Sequence, residues 1–547
     1  MRFGFSWVGL CYLAMLLIPN ILWIRRQPRD YERYVKGESK ILLALERAGE
    51  VLVTCAAVLF SDFDLRPWTA WCAFLTASFF CMALYEIFWV RYFRSGRTMR
   101  DFYGPFFHIP VPGASLPAAG FLLLGIYGGN SLMILSSLLL GAGHIGIHLA
   151  HAREAGIERK RHSIPVQILK TALIAAAAVI LAVITAVTAV RNLRQVGHWQ
   201  NLARGVDEGI WAPLNGQEQY VLLTGRDESN PVILYLHGGP ASPDTSCAYA
   251  FADLLTADYT FVGWDQRGCG RTYFRNAGGD PDNLTATFSQ AEEDLDALVD
   301  YLRDRFHQDK VILLGHSYGT ILGSRYALDH PDKVAAYIAV SQVTSLEETD
   351  EYSYRDALRR AAEAGEDTGK LTAAHERFQR EGSLETLMAV RELTKAYHPV
   401  RIPEDETWTA LFSPYFGVDD FRWFLKQAGG LEGFFALNRQ LFTAAFDFDA
   451  YKQSTAYQMP VYFISGTDDW ICPIPSVQAY MEAVAAPDKD LILLDGCGHS
   501  PQYALPGDFA AAVRACIQRA AGEKTKTAEN QQEKEGNPTC AENTACN

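Results

Sequence analysis

The stretch that decides the fold is Val311-Ile-Leu-Leu-Gly-His-Ser-Tyr-Gly-Thr-Ile-Leu-Gly323. An apolar run suited to a strand buried on both faces leads straight into Gly315-His316-Ser317-Tyr318-Gly319, and a helix-forming run follows. A serine between two glycines at a strand-to-helix turn is a nucleophile elbow. The turn brings strand and helix so close that a side chain at Gly315 or Gly319 would strike neighbouring backbone, and Ser317 is left exposed at the tip. The N–H of Tyr318, at the positive end of the helix, can then point at an oxyanion.

Outward from the elbow, strand and helix patterns alternate. A hairpin around 210–224 precedes a doubly buried strand at 231–236, which ends in His237-Gly-Gly-Pro240; glycines there can turn a backbone N–H towards a ligand, and Gly239 is the candidate second oxyanion donor. A strand at 259–264 ends in Asp265-Gln-Arg-Gly-Cys-Gly-Arg271, read as a turn fixed by its own Asp265–Arg267 ion pair. A helix at 289–305, strands at 334–341, 461–465 and 491–494, and a closing helix at 508–521 complete a doubly wound, mostly parallel sheet. The helical stretch between Ser341 and Pro460 is too long for a crossover and reads as a lid over the carboxyl ends of the strands.

Two loops supply what a serine nucleophile needs. Gly466-Thr-Asp-Asp-Trp-Ile-Cys-Pro473 follows one late strand and Gly496-Cys-Gly-His-Ser500 the last, so Ser317, Asp469 and His499 occur in the order nucleophile, acid, base. Serine reacts only when an imidazole takes its proton, and a carboxylate fixes the imidazole tautomer. Asp468 competes with Asp469 for the acid role.

The chain has 547 residues, a net charge of −14 and 11 cysteines. No basic stripe with interleaved aromatics occurs, so nucleic acid is not an expected partner. The cysteines lack paired CxxC spacing, which leaves individual disulfides such as Cys472–Cys497 open but gives no zinc ribbon or redox motif. Apolar runs at 3–24, 41–60, 68–90, 116–127, 132–150 and 166–190 predict an α-helical transmembrane bundle of about six spans. Glu46, Arg47 and Glu50 make the second span the least secure, and Tyr127-Gly-Gly-Asn130 decides whether 116–150 is one helix or two. Basic residues after runs one and three (Arg25 to Lys40, Arg91 to Arg100) and before the last (Arg153 to Arg161) share one side if the Gly-Gly turn lies outside. That places a multi-pass chain in the cell membrane with the hydrolytic part extracellular. His144, His148 and His151 share a helix face, read as interhelical hydrogen bonding ahead of a metal or haem site.

Residues 198–521 resemble the prolyl iminopeptidase group of α/β-hydrolases on His237 to Pro240, Trp264 to Arg271, the elbow, the acid loop and Gly496 to Ser500; Ala241 departs from that pattern, which has a glycine there. The resemblance selects Asp469 as the acid. It also implies lid carboxylates that grip a substrate amine, for which Asp350 and Glu351 are the candidates.

The expected organisation is a transmembrane helical domain (1–195), a hydrolase core (198–343 and 459–521), a lid (344–458) and a disordered polar tail (522–547). The expected function is a membrane-anchored serine aminopeptidase, without metal or organic cofactor, that removes N-terminal proline or small apolar residues from peptides. The alternatives are a membrane esterase or lipase-like enzyme acting on an ester, and a binding-only sensor ectodomain. Besides substrate, the expected partner is the lipid bilayer; oligomeric state is not legible.

Overall fold

The computed structural model describes residues 1–522 except positions 36, 67, 70, 105 and 158–163. The polar tail from 523 onward, and the basic residues Arg159, Lys160 and Arg161, lie outside the described residues. The chain divides into two compact units at Gly197/His198.

The first unit is helical, with principal helices at Trp7–Ile24, Lys40–Leu59, Cys72–Phe93, Pro112–Gly128, Ser131–Glu154 and Ile164–Gly197. Among the described residues, four stretches are long and apolar enough to cross a membrane, Trp7–Ile24, Cys72–Phe93, Ser131–Glu154 and Pro165–Gly197. Of the six expected spans, four are supported as candidates. Lys40–Leu59 carries four charged residues, Lys40, Glu46, Arg47 and Glu50, and Pro112–Gly128, at 17 residues, sits at the lower limit of the roughly 17–25 that span the hydrocarbon core. The break between 116–127 and 132–150 is real: Gly129 ends one helix in the left-handed conformation (φ 59°), and the Asn130 side chain caps the next by accepting from the Met133 N–H. The histidines join a hydrogen-bonded group, in which His144 meets Glu46 and the Tyr103 hydroxyl lies 3.1 Å from His148 Nδ1 and 3.5 Å from His151 Nδ1. His151 also lies 3.3 Å from Glu38.

The second unit is built on a sheet of strands β1 (Val206–Leu214), β2 (Gln217–Gly225), β3 (Val232–Leu236), β4 (Thr260–Trp264), β5 (Val311–His316), β6 (Val334–Val340), β7 (Val461–Gly466) and β8 (Lys489–Leu494). Their order is β1-β2-β4-β3-β5-β6-β7-β8. β1 and β2 form an antiparallel hairpin attached antiparallel to β4, and the remaining pairs are parallel. Alternation along β5 feeds two cores: Val311 and Leu313 pack with Leu295, Leu298 and Leu302 of the helix Phe288–Phe306, whereas Ile312 and Leu314 pack with Phe251, Phe509 and Val513. Burial on both faces is why these strands are continuous apolar runs.

Between β6 and β7 the chain forms seven described helices, from Leu346–Ala364 to Arg439–Asp447. They are tied to the loops at the carboxyl ends of the strands. Trp423 Nε1 donates to the Ala241 carbonyl (3.0 Å), Arg271 pairs with Asp420 (2.6 Å), and Glu404 accepts from the Ser500 N–H (2.7 Å). Trp423 and Phe434 of the cap are buried in an apolar cluster shared with Ala241, Cys269 and Tyr273 of the hydrolase core. The expected Asp265–Arg267 pair is not made: Arg267 forms a two-pronged bond to Asp294 (2.6 and 2.9 Å), while Asp265 accepts from the Arg271 N–H at 3.0 Å. Both partners of the Arg267–Asp294 pair are buried, so removing either leaves an uncompensated charge at a cost of about 3–5 kcal/mol.

Candidate active site

Ser317 sits between β5 and the helix Tyr318–Asp329 with φ 51° and ψ −118°, a conformation a serine adopts only when its surroundings enforce it. The enforcement is steric. A Cβ on Gly315 would lie 2.6 Å from the Gly319 carbonyl oxygen, and one on Gly319 would lie 2.1 Å from the Leu236 oxygen. The elbow is thus wedged against the end of β3, which brings Gly238 beside Ser317: a Cβ there would stand 3.3 Å from the Ser317 Cβ. Gly239 follows in the same loop at φ 122°. Tyr318 is the first residue of its helix, so its N–H has no intrahelical acceptor.

The loops after β7 and β8 converge on this serine. His499 Nε2 lies 2.8 Å from Ser317 Oγ, and His499 Nδ1 lies 3.0 and 3.1 Å from the two oxygens of Asp469. Asp469 is aimed by its own loop, since Oδ1 accepts from the N–H groups of Ile471 and Cys472, each at 2.9 Å. The His499 carbonyl accepts from His316 Nε2 and Ser341 Oγ, both at 2.9 Å, which fixes the imidazole from behind. Asp468 faces the other way, held by the Arg401 N–H and guanidinium at 3.0 Å.

Charge follows this geometry. Burial disfavours a charged imidazole, but the charge of Asp469 and its hydrogen bond reverse that and hold His499 well above the ordinary histidine range. Burial pushes Asp469 up, and His499 with the Cys472 N–H more than offsets it, so its carboxyl is held below the usual range. Burial brings His316 down to about 3, so it stays neutral and can hold the His499 carbonyl.

The structure does not bring Asp350 and Glu351 to this cluster as free carboxylates. Asp350 is gripped by Arg391 at 2.8 and 2.9 Å, and Glu351 is bonded to Arg355 (2.6 Å) and His375 (2.9 Å) inside the cap. Two other cap acids stand at the site, and sequence reading missed them. Glu404 reaches the backbone next to His499, at Ser500. Glu406 is exposed at the start of the helix Glu406–Leu411; desolvation, then the charges of Glu404 and Asp244, push it up to about 7 against the pull of His499. The available signal was the run Glu404-Asp-Glu406, indistinguishable in sequence from a solvated turn. Cys472 and Cys497 are both free thiols, not a disulfide.

A family model described as the alpha/beta hydrolase fold matches residues 231–504. The chain belongs to this family. Residues of the hydrolase are similar to the probable aminopeptidase YbaC of Bacillus subtilis (strain 168), at 26% identity over 307 residues, which cover 54% of this chain and 92% of that protein. A proline iminopeptidase of Lactobacillus helveticus is 24% identical over 302 residues, covering 52% of this chain and 90% of the relative. Among solved structures, a proline iminopeptidase from Mycobacterium smegmatis superposes with a TM-score of 0.36 at 20% identity, over 58% of this chain and 100% of its own.

Proposed function

We propose that the hydrolase is a membrane-anchored serine aminopeptidase that releases N-terminal proline or small apolar residues from peptides. The observation that carries this reading is the unbroken hydrogen-bonded line Asp469–His499–Ser317 at a strained elbow. In the proposed reaction Ser317 Oγ attacks the scissile carbonyl carbon while its proton passes to His499 Nε2, and Asp469 stabilises the imidazolium that results. The N–H groups of Tyr318 and Gly239 hold the oxyanion. The imidazolium then protonates the departing amine, the C–N bond breaks, and an aminoacyl ester remains on Ser317. Water, deprotonated by His499, hydrolyses that ester and frees the amino acid.

The aminopeptidase assignment draws support from the aminopeptidase and iminopeptidase relatives and from the cap acids. A substrate ammonium entering a covered site needs a carboxylate to offset its desolvation. We assign that role to Glu404 and Glu406 in place of Asp350 and Glu351, whose carboxylates are already engaged. Glu406, poised near neutrality, ionises as the cation arrives. A lipase-like second reading is favoured by Trp408 and Phe424, which the cap leaves 57% and 58% exposed and which could meet an acyl chain.

The test uses the full-length chain in detergent against aminoacyl amides, their N-acetylated forms and short and long acyl esters. Cleavage of free prolyl or alanyl amides only, lost together with fluorophosphonate labelling in Ser317→Ala, is the expected result. Preference for long acyl esters would overturn the peptidase reading, and labelling that survives in Ser317→Ala would overturn the serine mechanism. Anchoring through the apolar helices, with the hydrolase outside the cell, is part of the same proposal. Reporter fusions at Gly128 and after Arg194 should both read external.

A further inference from the structure

We propose that Asp469, Cys472 and His499 also form a divalent-cation site, suited to Zn²⁺, through which the metal switches the hydrolase off. The loop after β7 folds back so that the Cys472 N–H bonds Asp469 Oδ1 at 2.9 Å. This keeps the thiol close to both the carboxylate and the imidazole. One donor atom from each of Asp469, Cys472 and His499 lies within 4.8 Å of the other two. A tetrahedral zinc with bonds of about 2.0–2.3 Å holds its ligands about 3.4–3.6 Å apart, so small side-chain adjustments close the set around an ion. Thiolate, imidazole and carboxylate together select zinc over magnesium or calcium.

The arrangement is specific. Among the described residues no other His, Cys, Asp and Glu group brings three donors so close, and His144, His148 and His151 do not. Cys472 is a free, buried thiol to which the proposed reaction gives no task. The route in is the exposed side of His499, whose side chain is 17% accessible. On binding, the thiol proton and the proton on His499 Nδ1 leave to solvent, and the metal takes the sulfur, Nδ1 and a carboxylate oxygen. The imidazolium that must form when Ser317 gives up its proton then has no place for its second proton, because Nδ1 carries the metal. This inhibition rests on the proposed role of His499 as base; the metal site itself does not.

Both parts are tested on the full-length protein in detergent, with Co²⁺ as the spectroscopic probe and Zn²⁺ as the inhibitor. The wild type should show a thiolate-to-cobalt charge-transfer band that Zn²⁺ displaces. Cys472→Ser and Cys472→Ala, first matched to the wild type by circular dichroism and melting, should lose the band. Their sensitivity to Zn²⁺, each against its own metal-free rate of fluorophosphonate labelling, should weaken by at least the roughly 10- to 100-fold that even an outer-shell change costs. A chelator should restore wild-type labelling. Absence of the band in wild type, or its persistence in both variants, overturns the site. A displaceable band with undiminished labelling overturns the inhibition and tells against His499 as base, while a displaceable band in a wild type that never labels supports the site and fails the hydrolase reading.

Discussion

Replacing Asp469 by asparagine keeps shape and removes one charge, and the surrounding backbone dictates the outcome. Oδ1 accepts from both the Ile471 and Cys472 N–H groups at 2.9 Å, so the amide oxygen of the introduced asparagine must take that position. Its NH₂ then faces His499 Nδ1, where the second carboxylate oxygen now lies at 3.0 Å. Nδ1 is forced to accept, the ring proton moves to Nε2, and the imidazole can no longer take the proton of Ser317 Oγ at 2.8 Å. A wrong tautomer of this kind costs about 10⁴-fold in kcat, or roughly 5 kcal/mol of transition-state stabilisation. The measurement is kcat/KM on a prolyl amide together with the rate of fluorophosphonate labelling. Asp468→Asn is the control: its carboxylate binds Arg401, which is 58% exposed, and its loss should change the rate by less than about tenfold. An Asp469→Asn enzyme within tenfold of wild type, or a larger loss in Asp468→Asn, would refute the assignment.

Gly319→Ala places a methyl 2.1 Å from the Leu236 carbonyl oxygen, and since strand backbone cannot step aside, a loss at or above the upper end of about 1–3 kcal/mol is expected; an unchanged melting temperature would show that the elbow is not wedged against β3. Glu406→Gln should raise KM for free-amine substrates by about 10- to 100-fold, the worth of a hydrogen bond to a charged group, and leave N-acetylated amides and esters as they were; equal effects on all would remove Glu406 from amine recognition. The base works only when neutral, and Asp469 raises the pKa of His499, so kcat/KM should fall as pH drops through a limb above the ordinary histidine range, and Asp469→Asn should move that limb downward. A wild-type limb at or below the usual histidine value would contradict the pairing.

How much was legible depended on how local the physics was. The elbow could be read because its constraint lies within a few residues: two glycines and a serine between an apolar strand and a helix admit few other arrangements. The strands were legible for a similar reason, as burial on both faces leaves an apolar run whatever the partner strand. The apolar helical unit, residues 1–197, was read less well. An apolar run reports hydrophobicity, not helix length, and counting charges against the hydrocarbon thickness reduces six runs to four candidate spans. Asp265 and Arg267, two positions apart in a tight turn, invited pairing, yet the guanidinium found Asp294 on a helix that the sequence could not place beside it. The acids of the cap show the same limit. Asp350 is neutralised by an arginine 41 positions later, and Glu404 bonds a backbone N–H 96 positions away, contacts that only the path of the folded chain decides. Sequence by itself determined the hydrolase architecture and put forward Ser317, His499 and two competing acids, Asp468 and Asp469, as candidates, because turn sterics and burial are written locally. Which carboxylates stay free to meet a substrate, and that Cys472 stands beside the acid and the imidazole, were settled only by tertiary packing, since an ion pair belongs to whichever partner the fold brings within reach.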